Sequence, residues 1–127
     1  MLSCVHLPVD PELYSDDVRP IVTQTVARFG LEEWKAGILT HELHGHLGIY
    51  SILGVKMGLA AIEYLGAEPG HVSVYSYAGI KPPVSCMNDG LQVSTEATFG
   101  HGLISSPPTD SPLLMADFSI KDRTIQV

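Results

Sequence analysis

The chain has 127 residues, of which 45% are hydrophobic and 17% are charged, and its formal net charge at pH 7 is −7. This length allows one domain with a real hydrophobic core and does not comfortably allow two. The chain has only seven lysines and arginines. They are scattered, whereas phosphate binding needs clustered cations, so we expect no nucleic-acid partner. The low charge favours burial of one face in an oligomer.

Cysteine content and the N-terminus indicate the cellular compartment. Cys4 and Cys86 are too few for the dense disulfide framework of a small secreted domain. Residues 1–10 lack the cationic and apolar regions of a signal peptide. No stretch reaches the length of a membrane span without a charge. We therefore expect a cytoplasmic protein with no membrane partner.

The first forty residues predict helical structure with a break. Residues 5–14 contain two prolines and are expected to be irregular. Asp16 and Asp17 then precede apolar residues at helical spacing, and acidic residues favour a helix start. Gly30 is expected to end this helix, and residues 31–39 begin a second short helix or a turn.

The dominant element is the segment from about residue 43 to residue 65. Its apolar residues cover almost every side of a helix, which predicts a long buried helix. Gly54, Gly58 and Ala61 form a ridge of small residues at helical spacing. This ridge predicts close packing against another backbone, in the same chain or across a dimer interface.

The C-terminal half mixes short strands with one helix. Residues 71–77 alternate between apolar and polar side chains, which predicts a strand. Ser85 is a candidate N-cap for a helix from Cys86 to about Thr95. Further strands are expected at residues 103–105, 113–120 and 124–127. Without regular βαβ repetition, the predicted fold is one α+β domain over residues 1–127, with the long helix packed on a mixed or antiparallel sheet.

A histidine cluster precedes the long apolar segment. His41, His44 and His46 fall within six residues, and imidazole is the commonest metal ligand in proteins. His44 and His46 would project to one side of an extended chain, whereas His41 and His44 would share a face of a helix. The spacing is one residue too short for the His-Glu-x-x-His zinc motif. The cluster therefore predicts a site for a first-row divalent metal, with its ligand set open.

Cys86 is the second candidate. At a helix start, the partial positive charge of the helix favours a thiolate, which can bind metal or act as a nucleophile. A buried, inert cysteine is the alternative. Asp89 would share the face of that first helical turn. His101 lies between two glycines downstream and is a further candidate.

Two segments resemble the FmdE-like domain of the formylmethanofuran dehydrogenase family. Residues 43–47 (LHGHL) resemble that family's Phe-His-Gly-His-x-Cys-Pro-Gly start, and a long helix follows. Residues 85–102 (SCMNDGLQVSTEATFGHG) resemble its Ser-Cys-x-x-Asp-Ala-x-Gln stretch and the Thr-x-Gly-Lys-Gly that follows. The two motifs occur in the family order and together cover roughly half of the chain.

The resemblance implies an α+β domain that often forms dimers and binds a metal, with zinc expected. Carried over by position, the implied ligands are His44, His46 and Cys86, with His41 as a possible substitute. Two imidazoles and a thiolate are a sensible set for zinc and leave a fourth position for water or a substrate.

The sequence also departs from the family pattern. Gly48 stands where the family has a cysteine, Glu96 and Ala97 replace a Gly-Cys pair, and His101 replaces a lysine. The cysteine-rich C-terminal extension of many members is also missing, so electron-transfer clusters are not expected. These changes predict either a site richer in nitrogen and oxygen ligands or a lost site.

Three functional hypotheses follow. The first is a metal-dependent enzyme acting on a small molecule, with Asp89 or His101 as the acid–base group and Tyr75 or Tyr77 lining the pocket. The second is a non-catalytic metal-binding or accessory module in a homodimer. The third is a family member that keeps the fold and binds no metal.

Overall fold

The computed structural model describes residues 6–127, so Cys4 lies outside the described residues. Three α-helices and a four-stranded sheet form an α+β domain, which confirms the predicted class. The helices are α1 (Val22–His44), α2 (Ile49–Leu65) and α3 (Met87–Thr95), and the strands are β1 (Ser73–Ser76), β2 (Ile104–Ser105), β3 (Ala116–Ile120) and β4 (Arg123–Gln126). Short 3-10 turns lie at Pro11–Leu13, Arg19–Ile21 and Val84–Cys86.

The first helix begins later than predicted and is interrupted at Gly30 as predicted. After Asp17 the chain makes a 3-10 turn at Arg19–Ile21, and α1 begins only at Val22. Gly30 has the positive φ of a helix terminator (85°, with ψ 171°), but the chain returns to helical geometry at once. The predicted break at Gly30 is therefore confirmed: two helical segments, residues 22–29 and 31–44, meet there, and the label α1 covers both. The second segment runs to His44, beyond the predicted residues 31–39.

The central helix is shorter than the predicted segment. It begins at Ile49, because the chain bends at residues 45–48, and residues 43 and 44 belong to α1. It packs on the sheet through Met57, Ala61 and Leu65. It is not buried all round, since Ile49 is 85% exposed.

The ridge of small residues on α2 packs against α3 of the same chain. A Cβ added at Gly54 would lie 2.1 Å from the carbonyl oxygen of Met87, and one at Gly58 would lie 2.0 Å from Ser94 Oγ. From the other side, a Cβ on Gly90 would lie 1.9 Å from the carbonyl oxygen of Ser51. The two helix backbones therefore touch, which confirms the predicted close packing and locates it within one chain.

The sheet is mixed, with strand order β2-β1-β3-β4. The pair β1 and β2 is parallel, and the other two pairs are antiparallel. Val74, Ala116 and Phe118 point from the sheet into the main core, where they meet Leu91 of α3 and the buried residues of α2. The sheet thus supports α2 and α3 from one side.

The start of α3 also differs from the prediction. Ser85 lies within the 3-10 turn Val84–Cys86, and Cys86 is the N-cap residue of α3. No side-chain hydrogen bond caps this helix.

None of the helices within residues 6–127 has the length and apolar character that a membrane span requires.

We predict that Gly90→Ala destabilises the fold. The new methyl group would overlap the α2 backbone, and overpacking of this kind costs about 1–3 kcal/mol. That cost exceeds the gain of up to about 1 kcal/mol from replacing a helical glycine by alanine. The free energy of unfolding, measured by urea titration, should fall.

Gly37→Ala is the matched control for this prediction. A Cβ at Gly37 of α1 would meet only Ile52 Cδ1, at an ordinary 3.7 Å. The stability of this variant should stay the same or rise. Equal stability of the Gly90→Ala variant and the native chain would contradict a backbone contact between α2 and α3.

Candidate metal centre

The bend between α1 and α2 brings two histidines together. His44 is the last residue of α1, and Gly45 follows in the left-handed conformation, with φ 88° and ψ −7°. The Gly45 N–H donates to the carbonyl oxygen of His41 at 2.7 Å. This cap reverses the chain, so the rings of His44 and His46 lie side by side with centroids 4.5 Å apart. His44 and His46 are not on an extended strand, because the pair spans a helix end and a turn, whereas His41 and His44 both lie in α1.

The two imidazoles share a small space at Gly48, the N-cap of α2. A Cβ added at Gly48 would lie 3.4 Å from His44 Nε2 and 3.3 Å from His46 Nε2. Both Nε2 atoms therefore lie close to the same point, which Ser51 Oγ also approaches to 3.2 Å. Gly48 has an extended conformation, φ −96° and ψ 147°, that any residue can adopt.

The Asp89 carboxylate contacts the other nitrogen of the His44 ring, Nδ1. His44 Nδ1 lies 2.7 Å from Asp89 Oδ2. An ionised carboxylate can only accept, so Nδ1–H is the donor and the neutral ring keeps its lone pair on Nε2. Carboxylates that bind the far nitrogen of a ligating histidine fix its tautomer and orientation in metal sites. The structure thus places Asp89 against an imidazole, where it orients the ring.

Cys86 does not join the two histidines in a three-ligand group. It is half-buried and has a free thiol. Within residues 6–127, no three His, Cys, Asp or Glu side chains are gathered closely enough to hold a metal ion. A role of Cys86 as a ligand remains a prediction.

His41 and His101 have other neighbours. His41 Nε2 lies 3.5 Å from Asp17 Oδ2, so this ring faces the N-terminal segment. The Ser15 hydroxyl donates to Asp17 and lowers the pKa of this carboxyl, which keeps a negative charge beside His41. His101 is exposed and lines a surface groove with Leu43 and other residues of α1 and α3. The roles of His41 as a ligand and of His101 as an acid–base group remain predictions.

The predicted tyrosine lining is wrong. Tyr75 is exposed on β1, whereas its neighbours Val74 and Ser76 are buried on the helix side of the sheet. Tyr77 follows the same alternation and donates to Asp117 Oδ2 at 2.8 Å, which raises the pKa of the Tyr77 phenol. Both rings therefore lie on the sheet face opposite the helices and do not line the histidine pair.

Sequence reasoning missed the contact between His44 and Asp89. The two residues are 45 positions apart, and the sequence made Asp89 a candidate through its spacing from Cys86 and its place in the family motif. The contact depends on where α3 docks on α2, which the ridge of small residues predicts only in outline.

Comparison with protein-family models places the chain in a family. Residues 43–118, well over half of the chain, match the family described as FmdE, Molybdenum formylmethanofuran dehydrogenase operon. The chain belongs to the FmdE family. This match includes the histidine pair, both packed helices and Asp89.

One curated relative is a protein of Archaeoglobus fulgidus named "Probable S-adenosyl-L-methionine-binding protein". It is 36% identical to this chain over 62 residues, which cover 47% of the chain and 17% of the relative. The chain therefore spans only a small part of that protein.

We predict that the Asp89 carboxylate sets the tautomer of His44. At alkaline pH, where free imidazole is neutral, long-range proton–nitrogen NMR should show the proton of His44 on Nδ1. In Asp89→Asn the side-chain amide can donate instead, so the form with the proton on Nε2 should become populated.

The control variant is Asp117→Asn, which removes a carboxylate from the exposed sheet face. It should leave the His44 spectrum unchanged. An unchanged tautomer in Asp89→Asn would contradict the assigned hydrogen bond.

Proposed function

We propose that this FmdE-family domain binds a first-row divalent metal, zinc above all, through Nε2 of His44 and Nε2 of His46. The observation that carries the proposal is the convergence of both Nε2 atoms on the space at Gly48. The orientation of His44 by Asp89 supports it, because this hydrogen bond leaves Nε2 free to bind.

The donor set fits zinc in part. Two imidazoles supply two of the four ligands that zinc usually takes. Water, a substrate atom or the Cys86 thiolate would supply the rest, and Cys86 would have to approach the pair. A bound zinc ion would polarise a carbonyl group or acidify a water molecule. The chain's own contribution is to orient the two rings and to hold their Nε2 atoms close to one point.

An open coordination position favours action on a small molecule over a closed structural site. The name of the Archaeoglobus relative makes S-adenosylmethionine one compound to test. The free thiol of Cys86 fits a reducing compartment, and we propose a cytoplasmic location on that ground.

An accessory module in a homodimer is the second candidate. It is favoured by large apolar side chains on the surface of α2, where Ile49 is 85% and Tyr64 is 72% exposed. Light scattering after size exclusion would test it, with Tyr64→Glu as the disrupting variant. A chain that is monomeric at high concentration would contradict the dimer and leave the metal proposal untouched.

We predict that the untagged protein binds about one zinc ion per chain and that His44→Ala and His46→Ala each abolish binding. Loss of either ring leaves one imidazole of the pair, too few protein ligands for zinc even if Cys86 is one of them. Elemental analysis after dialysis and calorimetric titration of the apoprotein both measure this. His71→Ala is the control, because His71 is exposed in the turn before β1. Native-like binding by both His44→Ala and His46→Ala would rule out the pair as ligands.

We predict that Gly48→Cys tightens metal binding by at least about tenfold, equivalent to about 1.4 kcal/mol. The new Cβ would lie beside both Nε2 atoms, so its thiolate would add a third ligand. With Co²⁺, a sulfur-to-cobalt charge-transfer band should appear. Gly48→Ala adds the same Cβ without sulfur and should show neither effect. A Gly48→Cys variant without this band would contradict the convergence of the rings at this point.

A further inference from the structure

One row of side chains crosses the sheet face opposite the helices. The strand register pairs Tyr75 of β1 with Ser105 of β2 on one side and with Asp117 of β3 on the other. Asp117 in turn pairs with Gln126 of β4. Paired residues of neighbouring strands lie on the same face of a sheet. All four strands therefore contribute to this row, in which Tyr75 is exposed to solvent.

Two tyrosine rings meet at this row. The rings of Tyr75 and Tyr77 have centroids 5.0 Å apart and planes inclined at 68°, which is an edge-to-face contact. Such a contact covers a face of one ring only, so it leaves ring faces for a further partner. The exposed residue Leu113 donates its N–H to the Tyr77 carbonyl oxygen at 2.9 Å, so another apolar residue lies next to the rings. Aromatic ring faces attract cations, because their quadrupole is negative there.

Asp117 places a negative charge beside the two rings. Its Oδ2 accepts the Tyr77 hydroxyl and its Oδ1 accepts the Gln126 side-chain amide, each at 2.8 Å. Both donors are neutral, so they orient the carboxylate without neutralising it. Within residues 6–127, no lysine, arginine or histidine forms an ion pair with Asp117. A carboxylate without a cationic partner, next to two aromatic rings, is complementary in charge to a cation.

The surroundings of the carboxylate select a cation with an apolar surface. The net charge of −7 attracts every cation from a distance, so it does not distinguish between them. A primary ammonium group is compact and strongly hydrated, and both oxygens of Asp117 already accept hydrogen bonds. A trimethylated ammonium group needs no acceptor and presents methyl groups to the rings and to Leu113. Aromatic sites recognise quaternary ammonium groups in this way.

We propose that Tyr75, Tyr77 and Asp117 form a binding site for a small molecule with a trimethylated ammonium head group. The head group lies against the two rings, and its charge faces the Asp117 carboxylate. Gln126 and the Tyr77 hydroxyl hold that carboxylate in place. The site goes beyond the proposed function, because it lies on the sheet face opposite the helices and needs no metal.

Choline and neohexanol are matched probes, because neohexanol replaces the charged nitrogen by carbon and keeps the shape. Each is titrated at constant ionic strength, so that screening of charges stays the same. Binding is followed by NMR of the tyrosine rings. We expect choline to shift the ring signals of Tyr75 and Tyr77 saturably. Neohexanol should bind at least about tenfold more weakly, because it lacks the attraction of a cation to the rings and to the carboxylate.

Three substitutions locate the site. Tyr75→Leu removes one ring and should weaken choline binding at least about threefold, the size of an exposed cation–π contact, whereas Tyr75→Phe keeps the ring and should restore native binding. Asp117→Asn keeps the size of the side chain and removes its charge, so binding should again weaken at least about threefold. Tyr64→Leu is the control, because it removes an exposed ring on α2 and should leave binding unchanged.

Each outcome decides the proposal. Equal affinity for choline and neohexanol, or no saturable binding of choline, would overturn it. Native affinity in Tyr75→Leu or in Asp117→Asn would overturn it as well, and so would an equal loss in Tyr64→Leu. Guanidinium that binds more tightly than choline would overturn the assigned class of cation. Circular dichroism checks the fold of each variant, and Asp117→Asn decides if Tyr75→Leu does not fold.

A chelator separates this site from the candidate metal centre. Choline binding should be the same before and after metal removal, because no ligand of the proposed metal belongs to the row. Loss of choline binding after chelation would contradict a site on the sheet face. A native chain that binds no metal would contradict the proposed function and leave this site untouched.

Discussion

The backbone contact between α2 and α3 is the constraint on which the rest of the structure depends. Gly54 and Gly58 on one helix and Gly90 on the other leave no room for a side chain between them. The Ser94 hydroxyl donates to the carbonyl oxygen of Gly90 at 2.7 Å, which satisfies this buried polar group inside the contact. Such an approach fixes the position of α3 within tenths of an ångström, because backbone atoms cannot adjust as flexible side chains can. Asp89, the neighbour of Gly90, is thereby placed at His44.

The candidate metal centre consequently belongs to three elements at once. His44 ends α1, His46 lies in the turn before α2, and Asp89 lies in the first turn of α3. A ligand held by such a group binds the folded chain and not the unfolded one, so it adds to stability in proportion to its affinity. Under the proposed function, metal binding would therefore be coupled to helix docking, and a change in either one would alter the other.

The sequence predicted much of the fold and part of the site. The α+β class, the strand at residues 71–77 and the ridge at Gly54 followed from local patterns that short-range geometry fixes. The break at Gly30 followed as well, because a positive-φ glycine interrupts a helix. The length of the second segment did not, because packing of Trp34 and Ile38 against the N-terminal segment supports a helix that runs on to His44. The contact of Asp89 with His44 depends on tertiary docking, which residue spacing cannot express.

Gly48 has a consequence for how this domain can change over evolutionary time. Its backbone conformation is open to every amino acid, so glycine is not required there by the turn or by the start of α2. Helix packing is fixed elsewhere, by the contact between α2 and α3. Under the proposed function, a lineage could therefore exchange glycine at this position for a metal-binding side chain in one step, and could reverse that step. The exchange needs only small shifts of the Ser51, His44 and His46 side chains, which lie 3.2–3.4 Å from where the new Cβ would be. Related domains would then differ in chemistry while sharing one scaffold.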